Sequence, residues 1–276
     1  MPMSYAPLPT TASVPVSRTT IGSVHWLGIA TLTKKEVWRF AKVWNQTILA
    51  PVITTLLFLA VLSLAMGHKS DMVDGLSFER FVAPGLIMMA IVQNAFANTS
   101  SSLILSKVQG VIIDLLMPPF KGFEIVIALV LGGAVRGMVV GVAVTAAVYM
   151  FVPVSLHSLP LLIYYVMASS MMLASLGVLG GIMAQSFDQM AALTNYIVTP
   201  LSFLSGTFYS IHRLPEFWQQ VSLVNPFFYM IDGFRYALTG HADGHILTGV
   251  IALGVTNIVL LWLTQHCISR GWRLKS

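Results

Sequence analysis

The chain has 276 residues, of which 56% are hydrophobic and 9% carry a formal charge, against roughly 25% charged residues in an ordinary soluble domain. With a mean hydropathy of +0.81, its apolar surface exceeds what a water-exposed globule can cover, so a soluble globule is excluded and lipid is the expected surrounding. The net charge of +5 rests on 15 Lys and Arg against 10 Asp and Glu; in a membrane chain its distribution orients loops, and no nucleic-acid partner is expected.

Residues 1–20 are rich in Pro, Ser and Thr and lack an apolar core of signal-peptide length, which reads as a disordered cytoplasmic tail. In residues 33–46, Lys35, Arg39, Lys42 and Gln46 recur at helical spacing on one face and Trp38, Ala41 and Trp44 on another. That pattern predicts an amphipathic helix in the membrane interface, with its ammonium groups toward anionic lipid or a partner protein.

Runs of about 20 apolar residues are long enough for a helix to cross roughly 30 Å of hydrocarbon. Six are predicted as spans: 48–66, 81–106, 125–151, 159–184, 190–209 and 246–268. The second carries Asn94, Asn98 and Ser102 at four-residue spacing, and the fifth carries Asn195, Thr199 and Ser202. Two readings are open for these stripes, lining a translocation pathway or bonding helix to helix. Gly133, Gly137 and Gly141 in the third span and Gly177 and Gly181 in the fourth form small-residue ridges that predict close helix packing.

Arg136, twelve residues beyond Glu124, falls about 18 Å along the third span, where insertion scales assign an Arg about 2.5–3.5 kcal/mol. It must face the bundle or a wet cavity. Either it binds an anionic substrate, or it is structural and bonds helix carbonyls or side chains such as Asn94 and Asn98.

Between the second and third spans, Gln109, Val111, Ile112, Asp114, Leu115 and Leu116 precede the helix-breaking pair Pro118 and Pro119. An apolar segment of this size outside the spans predicts a short helix, about 109–116, inserting into a partner protein or lying on lipid. The 38 residues 208–245 hold nine aromatic side chains, too many for a plain solvated loop. Pro215 suits the first turn of one short helix there, and Asn225 suits the cap of a second that starts at Pro226. At about 20 Å the second is too short to span, so the pair, about 210–238, predicts a re-entrant hairpin on the outer end of a bundle, tolerated only when packed against protein.

Orientation follows from the cations. With both termini inside, Arg18, Lys34, Lys35, Arg39, Lys42, Lys107, Lys121, Arg270, Arg273 and Lys275 are cytoplasmic, and Lys69, Arg80, Arg213 and Arg235 are outside. Ten against four favours cytoplasmic termini.

The stretch TPLSFLSGTFYSIHRLPEFWQQVSLVNPFFYMIDGFRYAL, residues 199–238, resembles the C-terminal signature of ABC-2 type transporter permeases through Pro200, Ser205, Gly206, Leu214, Pro215, Asn225, Pro226, Asp232 and Arg235. GVIIDLLMPPFKGFEIV, residues 110–126, is similar to that family's cytoplasmic coupling helix. The resemblance implies an all-α integral membrane fold of six spans. It also implies a permease that forms the pathway as a dimer in a bacterial inner membrane and is driven by separate cytoplasmic ATPase subunits, with ATP and Mg on the partner and no cofactor on this chain. The segment around Gln109 to Leu116 would then seat in the ATPase, and Pro215 to Arg235 would belong to the outer re-entrant gate.

The sequence contains no G-x-x-x-x-G-K-[ST] phosphate loop, no H-E-x-x-H and no G-x-S-x-G. His241 and His245 flank Asp243 but are ordinary in a solvated loop, so no metal site and no catalytic residue is assigned. The single Cys267 leaves no thiolate metal site. The alternative function is a secondary transporter or channel without an ATPase, for which more midplane ionisable groups and an inverted repeat are expected.

Overall fold

A computed structural model describes residues 24–66, 75–113, 120–153 and 155–271. The tail 1–20 and the coupling residues Asp114, Leu115 and Leu116 lie outside the described residues. Among the described residues the fold is helical, and five helices there are long and apolar enough to cross a membrane.

The first helix, α1 (Trp26–Ala41), begins well before residue 33, because the His25 ring Nδ1 accepts from Gly28 N at 2.9 Å and caps it. Ile29, Leu32, Glu36 and Phe40 form its buried face, while Trp38, Lys35 and Lys42 are exposed. Arg39 departs from the expected cationic face. Its guanidinium reaches inward to Glu36, Asn98 and Ser101, since a buried carboxylate one turn away is a stronger partner than solvent.

A π-helical turn, Asn45–Leu49, feeds α2 (Ala50–Met66). The long α3 (Phe78–Val108) is the axis of the bundle: 89% of its most apolar window is buried, against 11% for the first spanning helix, Asn45–Ala65. Such burial permits the polar residues of α3, because neighbouring helices rather than lipid receive them.

The next helix, α4 (Gly122–Tyr149), starts where Glu124 accepts from Lys121 N at 2.8 Å and from His25 N at 2.7 Å. One carboxylate thus caps α4 and holds the entry of α1. Helix α5 (Leu159–Met183) packs against α3 and α4 through glycine. A Cβ at Gly133 would lie 2.7 Å from Ala174 Cβ, and one at Gly177 would fall on Thr99 Oγ1 and Phe96 O. The glycine ridges are therefore packing surfaces. Thr99 Oγ1, brought close, donates to Ala174 O at 2.8 Å, and Lys107 Nζ reaches the carbonyls of Ile182 and Ala184 at the C-terminal end of α5.

The run 190–209 is not one of the five long apolar helices. It is a broken rod of α6 (Phe187–Leu193), a π-helical turn (Thr194–Val198) and α7 (Thr199–Leu204). Asp188, Gln189, Asn195 and Thr199 lower its hydropathy, and Pro200 has no N–H for the ladder. The rod still runs from one end of the bundle to the other. It starts just after Ala184, held by Lys107 near the end of α3, and it finishes before Gly206, held with Phe81 O near the start of α3 by Arg235.

Two short helices follow, α8 (Glu216–Val224) and α9 (Pro226–Thr239), before α10 (Ile246–Ser269). Pro215 is the cap residue of α8 rather than part of its first turn. Asn225 caps α9 as expected, its Oδ1 accepting from Phe227 N at 3.0 Å, with Pro226 in the first helical position. Most of α9 is buried, including Phe228, Ile231 and Phe234, so it is a wedge in the bundle end rather than a surface loop. The core divides in two. A large cluster joins α3, α5 and α9; a smaller one joins α1, the start of α4, the end of α10 and Ile112.

Candidate functional site

The polar residues assigned to the pathway on α3 divide between two environments. Asn98 and Ser102 face α1. Glu36 is 2% exposed; its Oε1 accepts from Ser102 Oγ at 2.8 Å and its Oε2 from Arg39 Nη2 at 3.0 Å. Arg39 also donates to Asn98 Oδ1 at 3.0 Å and to Ser101 Oγ at 3.1 Å. This docking of α1 on α3 is possible because Gly132 of α4 leaves room: a Cβ there would sit 2.6 Å from Glu36 Cβ.

Asn94, one turn earlier on α3, faces a different way. It lines a cleft of about 470 Å³ between α2, α3 and α7, with Thr54, Gln93 and Thr199 among the polar lining and Phe58 and Phe203 among the apolar. Its Oδ1 accepts from Arg136 Nη2 at 3.0 Å. Arg136 therefore lies directly behind the cleft wall and bonds to one of the two amides suggested for it. Arg136 Nε and Asn98 Nδ2 find no acceptor.

The stripe on the broken rod does not hold together as a face. Thr199 lines the cleft, whereas Asn195 is exposed and Ser202 is buried with its hydroxyl bonded to Val198 O at 2.8 Å. The π turn shifts the helical phase between Asn195 and Thr199, and Ser202 lies three residues beyond Thr199 within α7.

At the opposite end, Asp232 and Arg235 of α9 form a buried lock. Arg235 is 0% exposed; it donates to Phe81 O at 3.2 Å and to Gly206 O, its guanidinium carbon lies 3.8 Å over the Phe81 ring, and Nη1 is 3.9 Å from Asp232 Oδ1. Asp232 accepts from Asp243 N at 2.8 Å and Gly244 N at 3.0 Å. Asp243 in turn accepts from Ile211 N at 3.0 Å and meets His241 Nε2 at 3.2 Å. Asn225 Nδ2 donates to Ser205 Oγ at 2.9 Å, tying the start of α9 to the end of α7. Three of the residues singled out here, Asn225, Asp232 and Arg235, thus fasten α9 to the ends of α3 and α7 and to the segment before α10, while Pro215 and Pro226 mark the starts of α8 and α9.

Of the coupling residues, Gln109 ends α3, and Gly110, with φ +71°, turns the chain. Val111 and Ile113 are 43% and 59% exposed, while Ile112 is 6% exposed and packs within the chain's own smaller core. Ile112 therefore anchors the turn and its two neighbours face outward. Sequence reasoning missed Glu36, and it weighed Asp243 only beside His241 and His245 as a metal ligand and not as a structural acceptor. Each is an acidic residue near an Arg or His in the sequence, a signal that periodicity counts as surface charge.

A family model for ABC-2 type transporters matches residues 28–239, from the first turn of α1 to the end of α9. The chain belongs to the ABC-2 type transporter family. Among related proteins, the inner membrane transport permease YadH of Escherichia coli strain K12 is 36% identical over 253 residues, covering 92% of this chain and 99% of its own length. Nodulation protein J of Rhizobium leguminosarum bv. viciae is 24% identical over 260 residues, covering 90% and 95%. Nodulation protein J of Rhizobium meliloti strain 1021 is 24% identical over 244 residues, covering 85% and 92%. This ABC-2 chain is a transport permease by family, and ABC ATPases are the general partners of that family.

Proposed function

We propose that the chain is the inner-membrane permease subunit of an ATP-driven exporter, working as a pair of copies with separate cytoplasmic ATPase subunits. The observation that carries this reading is the turn after α3, which holds Ile112 in the core and offers Val111 and Ile113 outward at the end of the most buried helix. A push on those side chains is delivered to α3, against which α2, α4, α5 and α9 all pack. The sequence contains no phosphate loop of its own, so ATP and Mg belong to the partner chain.

Six passes are part of the proposal, the broken rod of α6 and α7 being the fifth. Its Thr199 is accommodated where the rod meets the cleft rather than lipid. Both termini are then cytoplasmic, in agreement with the Lys and Arg distribution, and the α8–α9 pair is a re-entrant cap at the outer end. The cleft holding Asn94 and Thr199 is half of a pathway completed by the second copy. Closure of the ATPases selects between two packings of the pair, a rigid-body event.

The test is a cysteine at position 111 in a Cys267→Ser background. In native membranes, Val111→Cys is expected to react with a membrane-impermeant maleimide only from the cytoplasmic side, and a bifunctional reagent is expected to join it to an ATPase subunit. Labelling from the outside contradicts the orientation, and cross-links to lipid or to nothing contradict the coupling role.

A further inference from the structure

Glu79 stands in the first turn of α3, beside the end of α2, and its surroundings are apolar. The Ser63 hydroxyl, in the last turn of α2, donates to its Oε1. Among the described residues no cation pairs with this carboxylate, its neighbour Arg80 included. A carboxylate set among hydrocarbon groups is costly until a cation meets it. It lines a cleft of about 600 Å³ between α2 and the residues just past α4, and among the described residues lining that cleft only Ser63 and Glu79 are polar. Leu59 is buried in it, while Ile53, Leu57, Leu64 and Phe151 remain exposed along it. The cleft opens on the opposite face of α2 from the one that Asn94 and Thr199 line, which takes Ala50, Thr54 and Phe58. From Ile53 to Leu64 is eleven residues, about 16 Å along a helix, or half of a hydrocarbon core roughly 30 Å thick. The cleft thus has the length of one leaflet, with its ionisable group at the end where α2 stops and headgroups begin.

We propose that this cleft holds one phosphatidylethanolamine as a resident lipid, with the ammonium of its head on the Glu79 carboxylate and one acyl chain along α2. A primary ammonium supplies both the missing charge and three N–H donors. A trimethylammonium head brings the charge without the donors, and a phosphatidylglycerol head brings a net negative charge that Glu79 repels. The remaining lining is aliphatic or aromatic, so it discriminates little among tails, and the selectivity of the site lies in the head. The site is separate from the proposed pathway; it goes beyond the exporter reading and does not depend on it.

The experiment is native mass spectrometry of the full-length chain in detergent, titrated with phosphatidylethanolamine, phosphatidylcholine and phosphatidylglycerol of identical acyl chains. Wild type is expected to bind one phosphatidylethanolamine per chain saturably, at least tenfold more tightly than either of the others. Glu79→Gln removes the charge and keeps an oxygen for Ser63, so it is expected to fold as wild type does and to bind phosphatidylethanolamine no better than phosphatidylcholine. Asp188→Asn, an exposed carboxylate on α6, is expected to leave the binding unchanged. Ala60→Trp fills the cleft from the exposed side of α2 and is expected to displace the lipid with Glu79 intact, which keeps the site testable should Glu79→Gln fold poorly. Phosphatidylcholine or phosphatidylglycerol bound as tightly as phosphatidylethanolamine overturns the proposal, as does undiminished phosphatidylethanolamine binding in folded Glu79→Gln or Ala60→Trp.

Discussion

Arg235 and Arg136 are both guanidinium groups in an apolar bundle, and they differ in how they are satisfied. Arg235 has carbonyls from two other segments, an aromatic face and a carboxylate around it, so its burial is compensated. Removing it leaves Asp232 buried without its cation, which costs about 3–5 kcal/mol where a buried pair is broken. Arg235→Ala is expected to lower the thermal unfolding midpoint strongly in detergent, and Asp232→Asn combined with Arg235→Met to recover part of the loss. An unchanged midpoint in Arg235→Ala contradicts the lock. At this scale the sequence was informative wherever a residue has one local role. Asn225 and Pro226 announce a helix start, and the start is there. Arg39 was misread because helical spacing alone treats a cation as surface, and its inward turn depends on Glu36 and on Asn98, which is distant in the sequence.

At the scale of elements, the long apolar runs were legible because length and hydropathy suffice to mark a helix that avoids water. The rod of α6 and α7 was expected as an uninterrupted span over 190–209, whereas its helical run covers 187–204 with a π turn inside it. Its π turn and Pro200 disrupt the regular ladder, and its polar stripe was read as one face although the phase shifts within it. Helix contacts were legible where glycine recurs, since only a missing side chain permits the approach of α3, α4 and α5. Gly177→Ala is expected to destabilise the fold by about 1–3 kcal/mol through overpacking against Thr99 and Phe96. Gly254→Ala, whose Cβ would meet only Tyr164 Oη at 3.7 Å, is expected to be neutral. Unfolding midpoints of the two variants check the pair, and equal effects contradict the close α3–α5 contact.

For the whole molecule, exposure separates the helices by neighbour. The most apolar windows of the first and last spanning helices are 11% and 17% buried, against 89% for α3. The flanks are therefore left to lipid or to a second copy, and the centre is enclosed by the chain's own helices. Composition alone placed the chain in lipid. The proposed division of labour with another chain rests on two further features, the missing phosphate loop and the outward-facing turn after α3, and the depth of that turn's anchorage could not be read without the packing of Ile112.

The most direct measurement is of ATP turnover by the full-length chain purified gently from native membranes. A co-purifying ATP-hydrolysing subunit is expected, and Ile113→Glu in the turn after α3 is expected to release it while the permease stays folded. A preparation that contains no ATPase, or one whose ATPase is retained and fully active with Ile113→Glu, contradicts the account.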